Sequence, residues 1–143
     1  MDERIKEHLI HLNRYHLLLC DAREIPHETF MTSPVYQAST ERFLQLAIES
    51  CLNIGNRLIS LIQFQKPVKA PETYADIFKA MVDLDIVDSV FGSRLIQMAK
   101  FRNRLVHLYW EIDNDTLYQF LQENINDFLE FRDAVIAFLN KRS

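Results

Sequence analysis

The sequence predicts an all-α fold: an up-and-down bundle of four or five helices, built as one domain over residues 1–143. Three observations predict it. Only 2 glycines and 4 prolines occur in the chain, too few for the turns of a β fold and suited to long helices. Apolar residues recur at spacings of three and four along most of the sequence, the period of one helix face. Apolar content of 48% beside 25% charged residues describes a folded chain, which at this length buries roughly 70% of its unfolded surface.

Ile5, Leu9, Leu12, His16 and Leu19 form one face of a first helix, from about Asp2 to about Ala22. His8 and His11 stand three apart on it, with no thiol or carboxylate at matching spacing, and read as solvated or partly packed, not as metal ligands. Glu24-Ile25-Pro26-His27 breaks the pattern, and Ser33-Pro34 offers an N-cap with proline at the first helical position. A second, longer helix begins between Ser33 and Thr40 and runs through Leu44, Ala47, Cys51, Ile54, Leu58 and Leu61. Gly55 inside it costs about 1 kcal/mol relative to alanine; a close helix–helix approach would account for it, and so would accident.

Residues 65–71 form a connecting loop whose prolines block helix continuation. Thr73 caps a short third helix carrying Tyr74, Ile77, Phe78 and Met81. Asp85 or Asp88 starts a fourth, which ends near Ile112. Asp113-Asn114-Asp115 is a turn that caps a fifth helix, using Leu117, Phe120, Leu121, Ile125, Phe128, Leu129, Phe131, Val135 and Phe138. That apolar arc is wider than one bundle face needs, and a second subunit is one use for the surplus.

Net charge of −4 and a pI near 5.7 exclude a generally basic nucleic-acid binder but leave room for a small basic site. The charged N-terminus lacks the apolar core of a signal peptide, and no run is long enough for a membrane span. Cys20 and Cys51 show no metal-ligand spacing and read as buried free thiols. A cytoplasmic protein with no membrane association is expected.

The fourth helix departs from this pattern. From Ser89 to Trp110 there is no Asp or Glu, while Arg94, Lys100, Arg102 and Arg104 all fall there. At about 100° per residue, Asn103, His107 and Arg104 share one helical arc and Arg102 and Tyr109 another, with Leu105 and Leu108 between them as core candidates. An imidazole beside guanidinium and amide groups suits an anionic substrate. Histidine moves protons near neutral pH, and arginine stabilises a phosphoryl group as its charge redistributes. RNA carries its own nucleophile, the ribose 2′-hydroxyl, so such a site needs neither metal nor cofactor, and no metal-binding spacing occurs in the chain. Each residue also has a plainer reading. A histidine late in a helix can serve the helix dipole, arginines can be a solvated face, and Tyr109 and Trp110 can be core or interface aromatics.

Arg102-Asn103-Arg104-Leu105-Val106-His107-Leu108-Tyr109 resembles the Arg-x4-His-x-Tyr signature of the HepT-like toxins of the HEPN superfamily. Glu41–Glu49 with Asn53-Ile54-Gly55 is similar to that family's second-helix pattern. Residues 71–78 resemble its loop into the third helix, and residues 109–113 its exit from the motif helix. The resemblance covers about residue 30 to the end. It implies a HEPN-like helical homodimer whose motif copies face each other in a cleft. It implies a toxin of a type II toxin–antitoxin system that acts as a metal-independent ribonuclease. Arg102 and His107 would carry 2′-hydroxyl transesterification, Asn103 would assist by position, and Arg104 is a further auxiliary candidate. It also implies a partner, an MNT-type nucleotidyltransferase antitoxin, that transfers AMP to Tyr109 and so places charge and bulk in a cleft meant for RNA phosphates. Two other classes remain open from the residues alone. One is a non-catalytic helical binding partner of a nucleotidyltransferase, and the other is a plain dimerising scaffold.

Overall fold

The computed structural model describes residues 1–142. Among them are seven α-helices and one 3-10 turn, with no strand. The helices are α1 (Glu3–Arg23), α2 (His27–Met31), α3 (Pro34–Ile62), α4 (Tyr74–Asp83), α5 (Ser89–His107), α6 (Asn114–Glu123) and α7 (Asn126–Arg142). Four or five helices were expected. The additional ones are the short α2, between Pro26 and Ser33, and a division of the last helix into α6 and α7 at Asn124 and Ile125.

The caps fall where the sequence places them. Ser33 accepts from the Tyr36 N–H with Pro34 at the first helical position. Thr73 and Asp76 form a reciprocal capping box, which satisfies two otherwise orphaned donors. Of the two aspartates that compete to open the fourth helix, Asp88 is the cap, accepting from Phe91 N–H at 2.7 Å. Asp85 instead closes α4. It sits at φ 59°, and the Asp85 and Ile86 N–H groups donate back to the carbonyls of Val82 and Met81, the hydrogen bonds of a left-handed helix stop.

α1 lies along α3, and α3 also meets α4, α5, α6 and α7, so it is the central helix. The pair α1 and α3 is antiparallel, because Asp2 at the start of α1 binds Arg57 near the end of α3 at 2.9 Å. Asp2 also caps α1 by accepting from Arg4 and Ile5. The Arg57 guanidinium, with these two N–H groups, holds its carboxyl down at about 2 against the cost of partial burial. Every residue of the predicted α1 face is buried, His16 included.

Gly55 lies at a close approach of α3 to α4. A Cβ there would come within 2.6 Å of Ile77 Cγ2 and 3.0 Å of Met81 Sδ. Most of the wide apolar arc of the last stretch is buried inside the chain, while Phe120, Leu129 and Phe138 stay partly exposed. Leu117, Leu121, Ile125, Phe128, Phe131 and Val135 are all fully buried, and the break at Asn124 turns α7 so that successive parts of the arc meet the same core. Cys20 and Cys51 are free thiols, the second buried. No helix among the described residues is long and apolar enough to cross a membrane.

Candidate active site

α5 carries the residues singled out in the sequence and distributes them over two faces. Asn103 and His107, one helical turn apart, open together into a cavity of about 610 Å³. Leu52, Asn53 and Asn56 of α3 form one wall, and Pro71 to Tyr74 with Ile77 form the other. This places the pair against the loop and capping box that begin α4. Both side chains are exposed.

Arg102 stands beside that cavity rather than across the helix from it. Its guanidinium lies over the Tyr74 ring at 4.7 Å, and Tyr74 lines the cavity. The Nη1 group faces Asn103 Oδ1 at 3.4 Å. On its other edge, Nε and Nη2 donate to Glu49 Oε1 of α3 at 3.2 and 2.7 Å, and Gln45 Nε2 donates to the same oxygen at 3.2 Å. Arg102 is thereby held, its side chain only 11% exposed. The acid-free stretch of sequence is not an acid-free site, because the fold supplies Glu49 to Arg102 and Glu72 to the cavity wall.

Arg104 leaves the arc expected for it. It lines a different groove of about 550 Å³, with Arg94, Lys100, Phe101, Phe120 and Asp127, on the α6–α7 side of α5. There Phe101 stacks on Phe120 at 4.5 Å between ring centres. Arg94 is paired with Asp127 and Glu130, and burial raises the Asp127 carboxyl above the usual range despite Arg94.

The motif helix ends earlier than expected. Its last α-type bond runs from Leu108 N–H to the Arg104 carbonyl, and Tyr109–Glu111 form a 3-10 turn instead of continuing to Ile112. Tyr109 therefore does not share a helical arc with Arg102, and Leu108, expected in the core, is exposed, while Leu105 is core. No glycine or proline marks the stop. Aromatic and β-branched residues weaken helix in this run, and the change of direction lets Ile112 reach the core at 8% exposure. Tyr109 and Trp110 are left outside, 58% and 67% exposed, with their rings edge to face at 5.3 Å.

Chemically, the arrangement offers an imidazole and a carboxamide opening into one cavity, with a fixed guanidinium edge beside them. Among the described residues, no group of three His, Cys, Asp or Glu is placed to hold a metal ion. Sequence reasoning found Arg102, Asn103 and His107 but not Glu49, Gln45 or Tyr74 as their supports. No local signal links residues that lie 53 positions apart.

Residues 3–135 match the family model described as Ribonuclease HepT-like. The mRNA nuclease HepT of Shewanella oneidensis is 28% identical over 94 residues, 66% of this chain and 68% of the relative. The tRNA nuclease HepT of Aphanizomenon flos-aquae is 26% identical over 119 residues, 81% of this chain and 71% of the relative. Among solved structures, the tri-AMPylated HEPN toxin of Shewanella oneidensis, in complex with its MNT antitoxin, superposes with a TM-score of 0.86. It is 23% identical, over 96% of this chain and 99% of the other. The cytosolic protein YutE of Bacillus subtilis superposes at 0.79 with 22% identity, over 96% of this chain and 90% of the other. These likenesses establish a shared helical fold.

Proposed function

The chain belongs to the Ribonuclease HepT-like family, and on that premise we propose that it is the toxin of a type II toxin–antitoxin pair, a cytoplasmic endoribonuclease that cuts RNA without a metal. The observation that carries the reading is the shared opening of Asn103 and His107 into one cavity, with Arg102 stacked on its Tyr74 wall.

In the proposed reaction the ribose 2′-oxygen attacks the adjacent phosphorus. A P–O bond to the 2′-oxygen forms, and the P–O5′ bond breaks. The 2′-hydroxyl proton is taken up by a base, and the departing 5′-oxygen receives a proton. His107 is the group that moves protons. Arg102 stabilises the phosphoryl charge through the Nη1 edge that Glu49 leaves unoccupied, and Asn103 orients the phosphate. Arg104, on the other side of α5, acts through its field and not by contact. One chain offers one His107, so a homodimer that brings two copies together would supply both the base and the acid.

One solved structure that superposes, the HEPN toxin of Shewanella oneidensis, is in complex with an MNT antitoxin, and the same class of nucleotidyltransferase is the proposed partner here. Tyr109 is the proposed acceptor of AMP. Its exposed side chain, presented on a 3-10 turn that begins two residues after His107, is open to a transferase and close in sequence to the reacting groups. The added phosphate would repel RNA from the cavity.

A second reading, a helical module that grips RNA or its partner without cutting, is favoured by the existing pairing of Arg102 with Glu49. Expression alone and beside an MNT-type nucleotidyltransferase separates the two. The ribonuclease reading predicts growth arrest by the lone protein, relieved by Arg102→Ala or His107→Ala. It predicts a mass gain of whole AMP units in co-expression, absent in Tyr109→Phe. Full toxicity in both site variants would assign the activity elsewhere.

A further inference from the structure

The cavity at Asn103 and His107 shares a wall with a second cleft. Asn53 and Asn56, three residues apart on the exposed face of α3, line both. The second cleft, of about 230 Å³, is completed by Arg4 and His8 of α1 and by Arg57 and Ser60 of α3. All six lining residues are basic or neutral and polar, in a chain of net charge −4. Arg57 is committed, since Asp2 takes its Nε and Nη2 groups. Arg4 is different. Its side chain is exposed, and no carboxylate pairs with it among the described residues.

A single anion would be served by one cleft. Two polar clefts on either side of an asparagine ridge fit a chain of anions, with guanidinium groups for phosphate and carboxamides that both donate and accept towards ribose and base edges. We infer that the Arg4–His8–Arg57–Ser60 cleft is an RNA subsite. The strand held at Asn103 and His107 crosses the ridge of Asn53 and Asn56, and Arg4 holds the phosphate of a neighbouring nucleotide. The inference rests on the reading of the Asn103–His107 cavity as the place where RNA is cut.

The test is binding of a fluorescent single-stranded oligoribonucleotide to the full chain carrying His107→Ala, with and without Arg4→Ala, across a salt series. Cleavage by the unmodified wild-type chain is followed in parallel. Arg4→Ala is the informative variant because Arg57→Ala would also untie Asp2 and the start of α1. The subsite predicts about a fivefold to tenfold loss of affinity at low salt. It also predicts that the slope of log K against log salt falls by about 0.7, one single-strand phosphate contact. Unchanged affinity and slope, with RNA still bound and still cut by the wild type, overturns the subsite and leaves the cavity reading in place. Binding that depends on Arg4 in a wild-type chain that never cuts supports the subsite and removes the cleavage reading. If neither protein binds RNA, both fall.

Discussion

Arginine has five N–H donors in a rigid fork, and at Arg102 the structure divides them. Glu49 takes the Nε and Nη2 edge, Tyr74 covers one face, and Nη1 is turned towards Asn103 at the cavity. In the proposed reaction Glu49 is a positioning residue, since it fixes the edge with which Arg102 would meet a phosphate. Glu49→Gln keeps the shape but weakens the charge-assisted contact. It should lower kcat for RNA cleavage about tenfold while KM moves less than twofold. A purely structural Glu49 would instead lower stability and leave kcat per folded molecule unchanged, which circular dichroism and single-turnover rates distinguish. Asn103 and His107 were legible in the sequence because their spacing of four is local and survives folding as one face. Glu49 was not legible, because in sequence it is one acid among twenty on a separate helix. Arg104 shows the converse. Its wheel position lies near His107, yet its side chain lines the other groove.

At the scale of helices, the junction of α3 and α4 sets the shape of the cavity. Ile77 both lines the cavity and faces the missing side chain of Gly55. Gly55→Ala gains about 1 kcal/mol of helix propensity, but its Cβ must displace Ile77 and Met81, which costs about 1–3 kcal/mol in a packed core. A net loss of stability is expected in urea unfolding. Adding Ile77→Ala removes the clashing methyl, so the double variant should be less destabilised than the two single losses added together. The sequence left Gly55 undecided, because a helical glycine reports its reason only through a partner helix. The caps at Ser33, Thr73 and Asp113 were legible and Asp88 was one of two candidates, each using a side chain within three residues of the N–H from which it accepts. The ends of the long elements were not. α5 stops at His107 and the last helix divides at Asn124 with no glycine or proline to mark either place, since both breaks serve burial of distant residues, Ile112 and Phe128 among them.

For the whole molecule, the all-α class followed from composition and period, and the count of helices was low because the short α2 and the break in the last helix carry no period of their own. Stability should depend on pH in two windows. Burial, and then the nearby charges of Arg23 and Arg132, depress the His16 imidazole below its ordinary 6.5. The native state then binds this proton less well than the unfolded chain, so its contribution is full above about pH 6.5 and falls as pH drops below it. Asp2, held at about 2 against 3.8 unfolded, contributes fully above 3.8 and loses that as pH falls through about 2. Glu41 and Asp127, both raised by burial, oppose the trend at mildly acid pH. The His16 share is therefore read by difference, as the part of the urea-midpoint change between pH 7.5 and 5 that His16→Met removes. If α5 presents an RNA-cutting site, the ends of the cut RNA report it. Unmodified wild-type protein in chelator should leave 2′,3′-cyclic phosphate and 5′-hydroxyl ends, and His107→Ala should slow their formation by at least about 100-fold. Equal cleavage by His107→Ala, or 3′-hydroxyl and 5′-phosphate ends, would contradict it.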